Sequence, residues 1–378
     1  MGKLQYSILA GLAGLVVLPL AAQFTGSGFY RLEKQQQTRW WVSPSGERQL
    51  LLGIDHVHLI SASAPQTDLE PAYVDQRSAA IVAGLRADGF NTLGADTDAD
   101  IWHRGLPYVQ DLDISRHLQA DQQTPLMDVY DPGFAAKVQE LTRVACAPRI
   151  QDPDLVGYFS DDGLVWDPAL QPDTALRYYL SLPLSAPGRQ HAVDYLRDRY
   201  DSQIAKLNQA WGIKAKDFTA LPSPLAPANP AALTADAKPF AAQVLVRYLQ
   251  VAADAIHGVD GNHPYLGANL RWGDAGAPAP DSPEGLAWSV PDVVSVSVNG
   301  AKDPAAALRT LGQFVTKPLL VTIAGCQAPP AYAVDMFALP ALVGYVWSPD
   351  GDWQGGPCAA AAAQWKNLNA RASARHAR

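Results

Sequence analysis

The stretch Asp154-Leu155-Val156-Gly157-Tyr158-Phe159-Ser160-Asp161-Asp162-Gly163-Leu164-Val165-Trp166 decides the fold. Its first half is a short apolar run that is typical of a buried parallel strand. Its second half turns abruptly polar and then presents a tryptophan. The pattern predicts a strand whose carboxyl end carries adjacent acids beside an aromatic ring.

Similar strand patterns alternate with helical patterns along the chain, which favours a parallel sheet. The helical patterns cover residues 73–87, 134–146, 173–182, 190–200, 203–211, 239–257, 305–314 and 359–368, with Asp131 predicted as an N-cap. The strand patterns cover residues 50–57, 90–95, 155–160, 264–270, 293–299, 319–324 and 342–347, and a weak eighth signal precedes Met127.

Eight such units predict an α/β fold, a single (β/α)8 TIM-type barrel with a helical insertion after the fourth strand and an N-terminal apolar leader. A doubly wound sheet is the competing topology, but no Gly-x-Gly-x-x-Gly turn follows the first strand. The expected organisation is a leader in residues 1–26, a barrel in 27–369 and a flexible tail in 370–378.

The composition limits the classes of ligand. A net charge of -8 and the lack of a basic patch argue against nucleic acid and against an anionic membrane surface. Ten tryptophans and fourteen tyrosines permit stacking on neutral sugars, although most such rings fill cores. The sequence contains no His-x-x-x-His or Cys-x-x-Cys metal spacing, and we expect neither a metal nor another cofactor.

The leader and the cysteines bear on localisation. The apolar run of residues 8–22 predicts either a cleaved signal peptide or a membrane anchor, so the chain is expected to be exported. It would be periplasmic and anchored in the inner membrane, or secreted if the leader is cleaved. Two interpretations of Cys146, Cys326 and Cys358 stay open: one bridge between Cys326 and Cys358, or three buried thiols.

A set of motifs in the same order resembles the agarase-type glycoside hydrolases of family 50, which are related to barrel β-galactosidases. The motifs are Trp41-Val42-Ser43-Pro44-Ser45-Gly46, Leu52-Gly53-Ile54-Asp55-His56, Gly89-Phe90-Asn91-Thr92-Leu93-Gly94, Asp128-Val129-Tyr130-Asp131-Pro132-Gly133-Phe134, Asp152-Pro153-Asp154 with the opening stretch through Asp161, Leu207-Asn208-Gln209-Ala210-Trp211-Gly212 and Asn262-His263-Pro264-Tyr265-Leu266-Gly267. Any one is a weak signal, whereas the ordered set covers the chain from about residue 40 to 347.

The resemblance implies two catalytic glutamates, at the ends of the fourth and seventh strands. Retaining hydrolysis needs one carboxyl as acid and one as nucleophile, about 5 Å apart. This chain has Gly163 and Ile323 at these positions, and Asn269 where the family pattern has an arginine. Since neither glycine nor isoleucine transfers a proton, the sequence predicts a glycosidase-like barrel that has lost the retaining mechanism.

The remaining candidates follow predicted strands, where barrel enzymes place ligand contacts. The predicted substrate-binding residues are Asp55, His56, Asp96, Asp161, Asp162, Trp166, Asn269, Trp272, Asn299 and Trp347; Asp98, Asp350, Asp352 and Trp353 are further candidates. Two interpretations of Asp161 and Asp162 stay open. They form a re-purposed acid pair, or Asp161 is a hydrogen-bonded support and Asp162 caps the following loop. His56 is equally suited to a hydrogen bond in the core.

Three hypotheses about function follow. The first is a non-hydrolytic protein that binds a polysaccharide or oligosaccharide during its handling or synthesis. The second is an active glycoside hydrolase that pairs Asp162 with another carboxylate, such as Asp96 or Asp350, at the roughly 6.5–9.5 Å of an inverting enzyme. The third is a structural partner in a membrane-associated protein complex.

Overall fold

The computed structural model describes residues 26–60, 69–119, 126–164, 166, 172–222, 224–272, 282–326, 329–349, 351, 353 and 355–376. Residues 1–25, on which the leader prediction depends, lie outside this part. The described helices include none whose length and apolarity would let it cross a membrane.

A small antiparallel sheet precedes the barrel. Its strands are β1 (Arg31–Gln35), β2 (Thr38–Val42) and β3 (Arg48–Gln49). Trp41, on β2, is 1% exposed and packs with the residues that fill the barrel interior. The backbone N–H of Arg39 also donates to the carbonyl of Pro340, 3.2 Å away, just before the last barrel strand. The hairpin therefore closes the end of the barrel at which the strands begin.

The described residues contain eight parallel strands in one curled sheet, in the order β7-β6-β5-β4-β11-β10-β9-β8. They are β4 (Leu51–Ile54), β5 (Thr92–Leu93), β6 (Tyr108–Asp111), β7 (Leu155–Phe159), β8 (Leu270–Arg271), β9 (Val294–Ser297), β10 (Leu319–Ala324) and β11 (Leu342–Ser348). A parallel bridge between Tyr158 and Tyr265 joins the two ends of this order. The predicted (β/α)8 barrel is confirmed.

Helices surround the strands. They are α1 (Pro71–Ala87), α2 (Ile114–Leu118), α3 (Pro132–Cys146), α4 (Pro172–Ser181), α5 (Pro187–Arg199), α6 (Ile204–Trp211), α7 (Pro230–Val259), α8 (Pro283–Ala287), α9 (Pro304–Phe314), α10 (Tyr332–Asp335) and α11 (Gly356–His376). The Asp131 cap is confirmed, since its side chain accepts the N–H of Gly133 at 2.7 Å. The helical insertion between β7 and β8 is also present, as α4 to α7.

Two helix boundaries differ from the sequence prediction by more than three residues. Helix α7 begins at Pro230 rather than at residue 239, because Asn229 caps it and Pro230 suits the first helical position. The helix continues through Pro239. Helix α11 runs to His376 rather than ending at residue 368. Asn369, fully buried, donates there to the carbonyl of Asp88 at 2.9 Å and fixes the helix to the barrel.

Candidate functional site

The two aspartates that follow β7 have different environments. Asp161 is buried and accepts hydrogen bonds from the backbone N–H of Ser115 at 2.8 Å and from the Tyr248 hydroxyl at 2.5 Å. Burial raises the pKa of Asp161 to about 6, although these hydrogen bonds oppose the shift. Asp161 thus connects β7 to α2 and α7, which fits the predicted supporting role.

Asp162 lies in the barrel mouth, which we define by Asp55, His56, Asp111, Asp162 and Asn269. It accepts a hydrogen bond from the Asn269 amide at 2.5 Å, and a hydrogen bond with Asp162 is among the causes that raise the pKa of the Asp55 carboxyl. The Oδ1 atom of Asp55 has no hydrogen-bond partner among the described residues. A hydrogen bond between two carboxyl groups requires a proton on one of them. The structure therefore brings together residues predicted from three separate strands, and Asp162 is not merely a loop cap.

The proton of this pair belongs on Asp55. Burial, followed by the nearby Asp162 carboxylate, raises the pKa of Asp55 well above its usual range. Burial also raises the pKa of Asp162, but Asn269 and His56 oppose that shift. The pair is thus best described as a neutral Asp55 carboxyl that donates to an Asp162 carboxylate.

Asp111, at the end of β6, is a mouth residue that sequence reasoning missed. Its carboxylate accepts the backbone N–H groups of Asp113 at 3.0 Å and Asp162 at 3.1 Å. Burial, followed by repulsion from Asp161, raises its pKa well above the usual range. Strand β6 has only two fully buried residues, so its apolar signal was weak. An aspartate directly after Tyr108-Val109-Gln110 was the one clue in the sequence.

Histidine and aspartate side chains form the rim beside the first two barrel strands. His56 lies between the Ser348 hydroxyl, 3.2 Å from Nδ1, and the Asp96 carboxylate, 3.5 Å from Nε2. The Asp96 side chain is 66% exposed. Asp98 instead accepts the backbone N–H of Leu59 at 2.7 Å and contacts His58. Asp98 therefore fixes a loop, whereas His56 and Asp96 are accessible to a ligand.

The two positions of the implied glutamates have opposite surroundings. Gly163 is exposed, has a φ of +100° and leaves open space where a side chain would begin. Ile323 is 3% exposed and pairs with Trp347 between β10 and β11. Neither residue supplies a carboxyl group.

The four predicted tryptophan platforms require a correction, because all four side chains are buried. Trp347 is fully buried, stacks on Phe90 and Trp365 and donates to the Gly325 carbonyl at 2.8 Å. Trp272 donates to the Ala307 carbonyl and packs among helices. Trp166 and Trp353 are 7% and 4% exposed. These rings stabilise the contact between strands and helices and offer no face to a sugar.

The other predictions have mixed outcomes. Asn299 lies on an exposed turn, where its backbone N–H donates to the Ser297 hydroxyl at 3.3 Å. Asp350 and Asp352 lie outside the described residues. Of the two interpretations of the cysteines, the structure has the bridge: Cys326 and Cys358 form a disulfide, and Cys146 is a buried thiol.

One group within the described residues has ligand atoms close enough for a metal ion: His103, Asp152 and Asp154, which lie within 4.8 Å of one another. His103 already contacts both carboxylates, at 3.5 and 3.3 Å. The two aspartates precede β7, so the group lies at the opposite end of the barrel from the mouth.

Comparisons with known proteins find similar barrels among agarases. Beta-agarase A of Vibrio sp. (strain JT0107) is 28% identical over 240 residues, which cover 58% of this chain and 23% of that protein. A solved exo-beta-agarase matches with a TM-score of 0.68 and 18% identity over 94% of this chain and 66% of its own. A second solved agarase matches with a TM-score of 0.69 and 15% identity over the same shares.

No protein-family model matches the chain. The comparisons nevertheless confirm the resemblance to agarase-type glycoside hydrolases that the ordered motifs indicated. The chain spans less than a quarter of the curated relative and 66% of each of these two solved structures.

Proposed function

We propose that this chain binds a neutral galactose-containing polysaccharide or oligosaccharide at the barrel mouth and does not cleave it by the retaining route. The observation that carries the proposal is the hydrogen-bonded Asp55–Asp162 pair, together with Gly163 and Ile323 at the implied glutamate positions. The similarity to agarases supports a galactan as the ligand.

The carboxyl pair is unsuited to either common hydrolytic mechanism. Two carboxyl oxygens that share a proton lie about 2.5–2.7 Å apart. Retaining enzymes separate their carboxyl groups by about 5–5.5 Å, and inverting enzymes by about 6.5–9.5 Å. Asp55 and Asp162 act on each other as hydrogen-bond partners, which is a closer arrangement than either mechanism uses.

The same groups are well suited to binding hydroxyl groups. The Asp162 carboxylate accepts hydrogen bonds, while the His56 ring and the Asn269 amide provide further polar contacts. Because Asp55 is held neutral, the mouth carries less negative charge than its aspartates suggest. A neutral sugar is then favoured over a charged one.

We also propose that the protein is exported, either anchored in the inner membrane or secreted. The Cys326–Cys358 disulfide supports this localisation, because such bonds persist in oxidising compartments.

Titration calorimetry with neutral agar-type oligosaccharides tests the proposed function. We expect binding by the wild type, and binding weaker by about tenfold or more in Asp162→Asn and Asn269→Ala, since each removes a buried polar contact. Asp254→Asn, which changes an exposed aspartate on α7, serves as the matched control and should bind normally. Absence of binding to every oligosaccharide in a folded wild type would refute the proposal.

A second candidate function is hydrolysis by a different aspartate pair, and Asp111 is the observation that favours it. Its raised pKa suits a general acid, and it lies one hydrogen bond from the backbone of Asp162. Reducing-end assays on the same oligosaccharides distinguish the two functions. Release of reducing ends that is lost in both Asp111→Asn and Asp162→Asn would establish the hydrolase and exclude the non-hydrolytic proposal.

A further inference from the structure

A second polar cavity, which we call the underside groove, lies at the end of the barrel opposite the mouth. It has a volume of about 490 Å³. The N-terminal hairpin contributes Arg31 and Arg39, helix α7 contributes His257, and the loops before β9 and β10 contribute Asp292 and Lys317. The groove therefore lies between the hairpin and the starts of the barrel strands.

Two ion pairs account for part of the charge in the groove. The Arg31 guanidinium contacts Glu33 at 2.5 Å. His257 contacts Asp292 at 2.8 Å, and this hydrogen bond raises the pKa of His257. Asp292 also accepts the backbone N–H of Tyr265 at 2.9 Å, so its carboxylate is already engaged.

Arg39 and Lys317 are cations without a contacting carboxylate among the described residues. One Nη of Arg39 donates to the Thr316 carbonyl at 2.5 Å, which holds the guanidinium against the barrel without neutralising it. Lys317 follows directly, is half-buried and acts on Asp292 only at longer range. Both side chains line the same groove, so two positive charges face one cavity on a chain with a net charge of -8.

We propose that the underside groove binds a small saccharide that carries a sulfate or phosphate ester, with the ester oxyanion held between Arg39 and Lys317. Arginine and lysine are the residues that bind such oxyanions through charge-assisted hydrogen bonds. The volume lies within the range of small-ligand sites and exceeds what a single oxyanion fills. Asn262, His257 and Asp292 also line the groove and make its wall polar.

The shape of the groove disfavours larger anionic partners. Membrane surfaces and nucleic acids are bound by protruding clusters of lysine and arginine. Here the cations are half-buried in a concavity, and the overall negative charge repels extended anions. The ligand class differs from that of the mouth, so the proposal stands independently of the proposed function.

Titration calorimetry tests the site with five probes. They are a sulfated galactose disaccharide, its phosphorylated analogue, the unmodified disaccharide, inorganic sulfate and inorganic phosphate. We expect one or both ester disaccharides to bind more tightly than the free ions and the unmodified sugar. Lys317→Gln and the double variant Arg39→Gln/Lys317→Gln should weaken that binding by about tenfold or more, as expected for lost charge-assisted contacts. Lys137→Gln, at an exposed position on α3, should bind like the wild type.

Two further controls distinguish binding in the underside groove from binding in the mouth and from a loss of folding. Asp162→Asn changes only the mouth and should leave ester binding unchanged. The double variant loses the Arg39–Thr316 contact, which could impair its folding. Lys317→Gln keeps that contact and then provides the decisive comparison with the wild type. Three outcomes would each overturn the proposal. The first is equal binding by wild type and Lys317→Gln, and the second is failure of every probe to bind. The third is that the variants lose binding to vesicles of anionic phospholipid but to no other probe.

Discussion

Asp55 shows how one buried carboxyl determines the chemistry of the mouth. Its burial and its contact with Asp162 raise its pKa well above the usual range. Folding therefore takes up a proton at pH values where the unfolded chain has released it. The stabilising contribution is fully present below the ordinary carboxyl pKa near 3.8 and is lost as the pH rises through the raised pKa of Asp55.

We predict that Asp55→Asn makes the protein more stable than the wild type at pH 8, with a smaller difference at pH 4. The asparagine amide donates to Asp162 at every pH, whereas the aspartate needs a proton to do so. Urea unfolding of both proteins at several pH values measures the effect. Asp254→Asn is the control and should follow the wild type. Parallel pH profiles for wild type and Asp55→Asn would contradict the assignment of the proton to Asp55.

Neither Gly163 nor Ile323 lies at a position that would readily accept a glutamate. The first side-chain carbon of a residue at position 163 would meet no atom within 4 Å, but the φ of +100° disfavours any residue with a side chain. A glutamate at position 323 would place a carboxylate where the present side chain is 3% exposed.

Asp236 fixes two other helices of the insertion to helix α7. This buried carboxylate accepts hydrogen bonds from Arg199 and from Tyr200 at 2.5 Å and Trp211 at 2.8 Å. These three donors lie at or near the ends of α5 and α6. A single residue of α7 therefore fixes both shorter helices.

We predict that Asp236→Asn lowers the free energy of unfolding by about 2–4 kcal/mol, because it places an amide where the Trp211 indole and the Tyr200 hydroxyl need an acceptor. Chemical denaturation measures the change. Asp254→Asn, on the exposed face of the same helix, should change stability by less than about 0.5 kcal/mol. Equal stability of the two variants would show that the network contributes little.

The disulfide between Cys326 and Cys358 connects the segment after β10 to α11. We predict that its reduction lowers the free energy of unfolding by about 2–4 kcal/mol, the usual effect of closing a loop of this kind. Thiol titration in denaturant provides the check. The untreated protein should expose one thiol, from Cys146, and the reduced protein three. Three thiols without reduction would show that the bridge does not form.

Strand β11 shows why the tryptophans were misplaced by sequence reasoning. The register between β10 and β11 shifts so that Leu320 pairs with Gly344 and Val343 is left unpaired. Val343 and Val346 both pack inside the barrel, while Trp347 packs against the helices. Simple alternation from Val343 assigns Trp347 to the interior side. A bulge reverses this assignment and leaves little trace in the sequence.

Across the whole molecule, the sequence predicted what depends on apolar periodicity and chain order. The parallel strands and the convergence of Asp55, Asp162 and Asn269 follow from the rule that strand ends meet at one face. Asp111 was missed because its strand is short and half polar. The underside groove could not be predicted, since Arg39 and Lys317 are distant in sequence and meet only because the hairpin folds under the barrel.

Closure of the barrel depends on Gly157, which lies where β7 meets the residues before β8. A Cβ at this position would lie 2.5 Å from the carbonyl oxygen of Pro264 and 3.0 Å from the Leu266 side chain. The adjacent hydrogen bonds, from Tyr158 to Pro264 at 3.0 Å and from Leu266 to Tyr158 at 2.7 Å, are those that complete the ring of strands.

We therefore predict that Gly157→Ala lowers the free energy of unfolding by about 2–3 kcal/mol, because a methyl group against a backbone carbonyl forces these strands apart. Urea denaturation measures the change, and amide hydrogen exchange at Tyr158 and Leu266 should become faster. Gly258→Ala, in α7, is the matched control: its added methyl group meets no atom within 4 Å and should leave stability unchanged or raise it by up to about 1 kcal/mol. If the two variants were equally stable, closure would not depend on the close approach at Gly157.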